Sequence, residues 1–170
     1  MTRKRKIFLL LFSIFLIGLI LPENMSIPVS GATKNSWNKN TFWYYPWGKS
    51  GTHKGIDIFA KEGTDVISAT SGIVLYKGNI SMGGNILVLL GPKWRIHYYA
   101  HLKRSDIHFF DLVSRGEKIA EVGTTGNAKG KPPHLHYSFL TLIPYPWRID
   151  GDHQGWKKML YLNPAEHFNR

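Results

Sequence analysis

Two histidines separated by one residue, His134 and His136, are the part of the sequence best suited to metal chemistry. In a β strand, residues two apart point to the same face and lie about 7 Å apart. We therefore expect both imidazoles to face one cleft, with Leu135 turned toward the core. An isolated pair of this kind is as often two exposed strand histidines as part of a site.

A second pair, His53 and Asp57, lies far upstream. On a straight strand these residues would be about 13 Å apart, too far to share a zinc ion whose ligand atoms lie about 2.0–2.2 Å from the metal. Gly55 can provide the necessary bend, with His53 in a loop and Asp57 at the start of a strand. A helical turn would also bring them together, but the surrounding glycines oppose a helix. Since the chain has no cysteine, any metal site must use histidine and carboxylate ligands.

A third candidate, His101, ends a β-rich run just before a polar stretch, where loops begin and sites are commonly built. If this strand is regular, His97 and Tyr99 share the face of His101. His97 is therefore a competitor for any role in the site, although we interpret it as a surface or packing histidine.

In chain order the sequence reads H-x3-D, Tyr-x-His-Leu, Gly-x-x-Gly and H-x-H, which resembles the M23 family of zinc endopeptidases, of the lysostaphin and LytM type. The match extends from about Thr52 to Phe139 and includes the intervening turns at 63–66 and 123–126. The resemblance implies one Zn²⁺ ion per chain, with three ligands and two catalytic histidines: His53, Asp57 and His136 as ligands, and His101 and His134 in catalysis. It does not say which histidine is the base.

The resemblance implies a zinc metalloendopeptidase that hydrolyses peptide crosslinks or stem peptides of bacterial peptidoglycan during cell-wall remodelling. The expected partner is this anionic wall polymer, with no nucleic acid. No nucleotide is expected either, since Gly48-Lys49-Ser50 lacks the earlier glycine of a phosphate-binding loop. A monomer is expected. The alternative is a non-catalytic domain of the same fold that activates a cell-wall amidase. Ser138 stands where the family commonly has glutamate, which leaves substrate preference open.

The elements that must position these residues are short. Runs of β-branched and aromatic residues alternate with glycine-containing turns, which predicts a mainly β, single compact domain of antiparallel sheets. The resemblance adds an open active-site groove. Strands are predicted at 65–69, 72–76, 85–90, 96–100, 118–122 and 135–142, and short helices near the C-terminus within 155–162 and 164–168. Beyond the motif, Trp147 and Trp156 are interpreted as packing residues rather than as a rim over the groove.

Residues 1–32 predict an export signal or an N-terminal membrane anchor. Four basic residues, Arg3–Lys6, precede an uncharged apolar run, residues 7–21, whose 15 residues fall short of the roughly 20 needed to span a bilayer. Ser30, Gly31 and Ala32 suit a signal peptidase, so a cleaved signal is preferred to an anchor. Export to the cell envelope follows, in the periplasm or cell-wall space, with inner-membrane anchoring through residues 7–21 as the alternative.

The polar stretch 22–36 predicts a linker, so the folded chain is expected to begin near Trp37. Residues 33–46 are assigned as a linker or lead-in segment, and residues 47–170 as the peptidase-like domain. Residues 1–32 carry four basic residues and one glutamate, so their removal lowers the net charge from +11 to +8. The remaining excess favours an anionic partner without identifying it.

Overall fold

The computed structural model describes residues 1–168, in which an N-terminal helix precedes a β domain. The helix, α1, spans Arg3–Ile20. The strands are β1 (Ile56–Phe59), β2 (Asp65–Ile67), β3 (Gly72–Ile80), β4 (Gly84–Gly91), β5 (Arg95–Leu102), β6 (Leu112–Val113), β7 (Lys118–Glu121), β8 (His134–Thr141) and β9 (Tyr161–Leu162). Short 3-10 turns, including Gly155–Met159 and Pro164–Glu166, stand where C-terminal helices were predicted. The prediction of a mainly β antiparallel fold is confirmed.

Seven strands form one antiparallel sheet in the order β1-β8-β5-β4-β3-β6, with β9 also paired to β8. Strands β2 and β7 form a separate two-stranded ribbon. Within the large sheet β8 has β1 on one side and β5 on the other, so that His136 lies opposite Asp57 and also opposite Ala100. Segments distant in sequence therefore meet at one strand.

The burial of β8 follows the predicted alternation. Leu135, Tyr137 and Phe139 are fully buried on one face of the strand. His134 and His136 therefore lie on the other face, as the period of two requires. Burial of the apolar face fixes the register of β8, because a shift by one residue would turn every apolar side chain toward the groove.

Two tryptophans outside the family motif are not packed in the core. Trp147 is 78% exposed and Trp156 is 56% exposed. Both lie in 3-10 turns between β8 and β9, at Pro146–Arg148 and Gly155–Met159. The prediction that they pack inside is wrong, because these turns lie on the surface of the sheet domain.

Residues 23–30, which we call the strap, belong to the folded domain. Met25 and Val29 are buried in the core, at 0% and 2% exposure. The strap runs beside β2, where the Ile67 N–H donates to the Pro28 carbonyl at 3.1 Å. The prediction of a linker over 22–36 and of a folded chain beginning near Trp37 is therefore wrong. Apolar and polar residues alternate in the strap, but the segment is too short and too rich in turn-forming residues to predict a strand.

The helix α1 stands apart from the core, and none of its side chains is buried. It contacts the domain through Trp94, whose indole N–H donates to the Phe15 carbonyl at 2.9 Å. The two rings also stack, with centroids 6.0 Å apart. Within residues 1–168, no helix combines the length and the apolar character needed to cross a membrane.

His97 is a packing histidine, as interpreted from the sequence. It is fully buried, and its Nδ1 lies 2.6 Å from the Tyr137 hydroxyl. Burial, with the nearby charges of Arg95 and His167, lowers the pKa of His97 to about 3. At pH values between its ordinary pKa and about 3, the unfolded chain binds a proton at this position that the folded chain excludes. The contribution of His97 to stability is therefore lost as the pH falls through this window.

We expect His97→Gln to flatten the dependence of the free energy of unfolding on pH between pH 6 and pH 4. The change in slope should not exceed about 1.4 kcal/mol per pH unit, the value for one proton. Urea unfolding of wild type and variant at pH 6, 5 and 4 measures it. The matched control is His108→Gln, whose side chain is 80% exposed. Equal slopes in wild type and His97→Gln would contradict the assignment.

Candidate metal centre

Three predicted ligand residues lie within reach of a single cation. The Asp57 Oδ1 lies 2.8 Å from the His136 Nδ1 and 3.1 Å from the His53 Nε2. The two nitrogens are themselves 3.1 Å apart. Tetrahedral zinc with bonds of about 2.1 Å needs ligand atoms about 3.4 Å apart, so a small outward movement of each side chain would accommodate the ion. The three residues could therefore hold a metal.

Gly55 allows β1 to approach β8 closely enough for this contact. A Cβ at Gly55 would lie 2.5 Å from the Tyr137 carbonyl oxygen and 2.7 Å from the Ser138 Oγ. The missing side chain lets the chain turn after His53 and enter β1, where Asp57 pairs with His136. The bend predicted at Gly55 is thus the point where the loop and the strand meet.

The outer nitrogen of each ligand imidazole has a fixed partner. The His53 Nδ1–H donates to the Thr41 carbonyl at 2.9 Å, which leaves Nε2 as the ligand atom. His136 is oriented the other way: its Nε2 lies 3.0 Å from the Ser138 Oγ, and its Nδ1 faces Asp57. Partners of this kind fix ring orientation and ligand basicity in metal sites.

Trp47 supports His53 by packing on the face of its imidazole ring. The two rings stack with centroids 4.2 Å apart and an interplanar angle of 21°. The contributions of Trp47, Thr41 and Ser138 were not predicted from the sequence. A cluster of aromatic residues beside the H-x3-D motif was the only sequence signal for Trp47, and it did not distinguish site from packing.

The charges at the three positions suit a divalent cation. Burial alone would raise the pKa of Asp57, but hydrogen bonds from His136 and His53 outweigh it and hold that pKa well below its ordinary range. Burial lowers the pKa of His136, against the opposing effect of Asp57. At neutral pH the carboxylate is therefore ionised and the His136 imidazole neutral, which are the states that bind metal.

His101 reaches the same groove through a β bulge. In the pairing of β5 with β4, two residues, Ala100 and His101, lie opposite the single residue Ile86. The φ angle of His101 is +64°, in the left-handed region. The extra residue turns the His101 side chain away from the core face that Tyr99 occupies. The strand is not regular here, so His101 does not share a face with His97 and Tyr99, because bulges redirect side chains.

His101 and His134 face each other across the groove, with ring centroids 5.0 Å apart. In each ring the Nδ1–H donates to a backbone carbonyl, that of Thr125 at 2.9 Å for His101 and that of Pro132 at 2.8 Å for His134. Each Nε2 is then the hydrogen-bond acceptor of a neutral imidazole. Burial, together with His136 and His134, lowers the pKa of His101 to about 4, so this ring is neutral at neutral pH.

The profile of peptidase family M23 matches residues 51–145, which contain the His53/Asp57 pair, the His134/His136 pair and the bulged strand β5. This chain belongs to peptidase family M23. The resemblance found in the sequence is thereby confirmed, as is the predicted fold.

Among M23 relatives, the peptidoglycan DD-endopeptidase ShyC of Vibrio cholerae is 33% identical over 93 residues, covering 55% of this chain and 21% of that protein. The solved catalytic domain of lysostaphin from Staphylococcus simulans has a TM-score of 0.53 at 32% identity, over 56% of this chain and 73% of that domain. A solved zinc-containing peptidase from Vibrio cholerae has a TM-score of 0.57 at 28% identity. The match covers 68% of this chain and 36% of that chain. The chain spans about a fifth of the length of the curated relatives it matches first.

We expect Gly55→Ala to separate β1 from β8 and so move Asp57 away from His136. Zinc affinity should fall at least about tenfold, the lower end of the effect of disturbed ligand orientation. Overpacking of this kind should also lower the free energy of unfolding by about 1–3 kcal/mol. Competition with a zinc-binding dye measures the affinity. Gly151→Ala is the matched control, since a Cβ there meets no atom within 4 Å. Unchanged zinc affinity in Gly55→Ala would exclude this role.

Proposed function

We propose that this chain is a zinc-dependent endopeptidase that hydrolyses peptide crosslinks or stem peptides of bacterial peptidoglycan during cell-wall remodelling. One observation carries the proposal: three ligand atoms lie 2.8–3.1 Å apart, and two further histidines line the same groove. The names of the relatives support the substrate class, since ShyC is a peptidoglycan DD-endopeptidase.

The donor set suits Zn²⁺. Two imidazoles and one carboxylate are ligands that zinc prefers, and three protein ligands are typical of catalytic rather than structural zinc sites. When bound, the ion would act as a Lewis acid that lowers the pKa of water from 15.7 toward about 7 and polarises the scissile carbonyl.

The two groove histidines supply the proton transfers. A neutral imidazole with its Nδ1–H held by a carbonyl accepts a proton at Nε2, so His101 or His134 is suited to take a proton from the attacking water. The protonated ring then has an Nε2–H that can donate to the developing oxyanion or to the leaving amine. Because both rings have the same arrangement, the two histidines can divide these roles.

The competing proposal is a non-catalytic domain that activates a cell-wall amidase. The complete set of ligands and groove histidines favours the enzyme, because a domain that only binds a partner requires no such set. We further propose that the protein is exported to the cell envelope and acts there as a monomer on the wall, for which its net positive charge is suited.

Incubation of the purified full-length protein with isolated peptidoglycan, followed by mass spectrometry of the released termini, tests the activity. We expect new peptide termini from the zinc-loaded wild type and none from His136→Ala, which should also lose zinc. A chelator should abolish cleavage, and added Zn²⁺ should restore it. If the zinc-loaded wild type releases no wall peptide, the amidase-activator function is favoured instead.

His101→Ala and His134→Ala separate catalysis from metal binding. Each should lower the rate of cleavage about 10²–10⁴-fold, the usual contribution of a general acid or base, while the zinc content remains that of the wild type. Zinc content is measured by elemental analysis of the same samples used for the assay. Loss of zinc from either variant would contradict the assignment of that histidine to catalysis.

A further inference from the structure

The strap is held to the domain by a buried ion pair as well as by apolar packing. The Glu23 carboxylate pairs with the Arg95 guanidinium, and the two side chains are only 3% and 9% exposed. A buried charge that loses its partner strongly destabilises a fold. Cleavage after Ala32 would remove Glu23 from Arg95, and it would also remove Met25 and Val29 from the core.

No alternative cleavage site of the usual type lies ahead of the strap. Signal peptidases require small residues two positions apart, as in Ala-x-Ala. In residues 1–22 the small residues are Thr2, Ser13 and Gly18, and no two of them have this spacing. The Ser30-Gly31-Ala32 sequence has it, but cleavage there would remove the strap.

One end of the large sheet carries apolar side chains, two of which are exposed. Trp94 contacts α1, and the Leu142 N–H donates to the Trp94 carbonyl at 3.0 Å. Leu142 is 57% exposed, and the exposed Trp147 stacks on Tyr145 shortly after it in the chain. We call Trp94, Leu142 and Trp147 the apolar end. Tryptophan is enriched where proteins meet the boundary between lipid and water.

We propose that α1 is retained in the mature protein and that α1 and the apolar end together bind the chain to a lipid bilayer. The basic residues Lys93 and Arg148 adjoin the apolar end, and Arg3–Lys6 lie at the far end of α1. These cations complement anionic lipid headgroups. Apart from its contact with Trp94, the apolar surface of α1 is left uncovered by the domain and is thus covered by lipid.

This attachment fixes how far the groove lies from the bilayer. The apolar end adjoins the start of β5 and the end of β8, whereas the groove histidines lie at the opposite ends of these two strands. His101 is six residues from Arg95, and His136 is six residues from Leu142. At about 3.3 Å per residue, the groove lies about 20 Å from the apolar end. The groove therefore lies at the end of the sheet that is remote from the bilayer. This inference does not depend on the reaction that the groove catalyses.

Retention is tested on the full-length chain expressed in a bacterial host with its own N-terminus. We expect the protein in the membrane fraction, with an intact mass that begins at Met1 or Thr2. A mature chain that begins at Thr33 would overturn the proposal. As a test of the strap, Met25→Asp should lower the melting temperature, whereas Asn24→Asp, at the exposed neighbouring position, should not. Equal melting temperatures for the two variants would also overturn it.

Orientation is tested with single-cysteine variants, which the absence of natural cysteine makes possible. An environment-sensitive fluorophore is attached in Leu142→Cys or, as the matched control at the other end of the sheet, in Ile80→Cys. The full-length proteins are reconstituted into vesicles of phosphatidylethanolamine and phosphatidylglycerol with brominated acyl chains. We expect strong quenching at position 142 and little at position 80. Equal quenching, or the reverse order, would overturn the orientation. Each measurement is repeated in a His136→Ala background, where the same result is expected.

Discussion

The pairing of β8 with β1 on one side and with β5 on the other is the constraint on which the rest of the site depends. It places His136 beside Asp57 in one direction and beside Ala100, next to His101, in the other. The register is fixed by the buried apolar face of β8. Packing of the core therefore also sets the positions of the groove histidines on this strand. A change that shifts this strand should therefore affect stability and metal binding together.

Backbone carbonyls from loops outside the strands complete the arrangement. Three histidines, His53, His101 and His134, each direct an Nδ1–H to a carbonyl and so present Nε2 to the groove. This tautomer follows from the fixed position of the acceptor and needs no second charged side chain. The ring orientations are consequently set by the path of the loops, and the motif residues alone would not fix them.

The strap and α1 extend this unit toward the N-terminus. The apolar helix α1 leads directly into the buried strap. Besides this covalent connection, side-chain contacts attach both segments to the domain, since Glu23 pairs with Arg95 and Trp94 contacts Phe15. Strand β5 begins at Arg95, beside these contacts, and carries His101 near its other end. The position of the domain relative to α1 and the placement of its groove at the remote end are therefore set by the same sheet.

The sequence by itself determined the types and order of the groove residues and the β-rich fold, because the alternation around His134 and His136 and the glycine at position 55 are local features. Only the tertiary structure decided that His101 faces the groove, since the bulge depends on how β5 pairs with β4. It also decided that Met25 and Val29 belong to the core. Whether a short segment is buried depends on the surface that packs against it. The local pattern of residues does not predict that surface, because it is formed by residues distant in sequence.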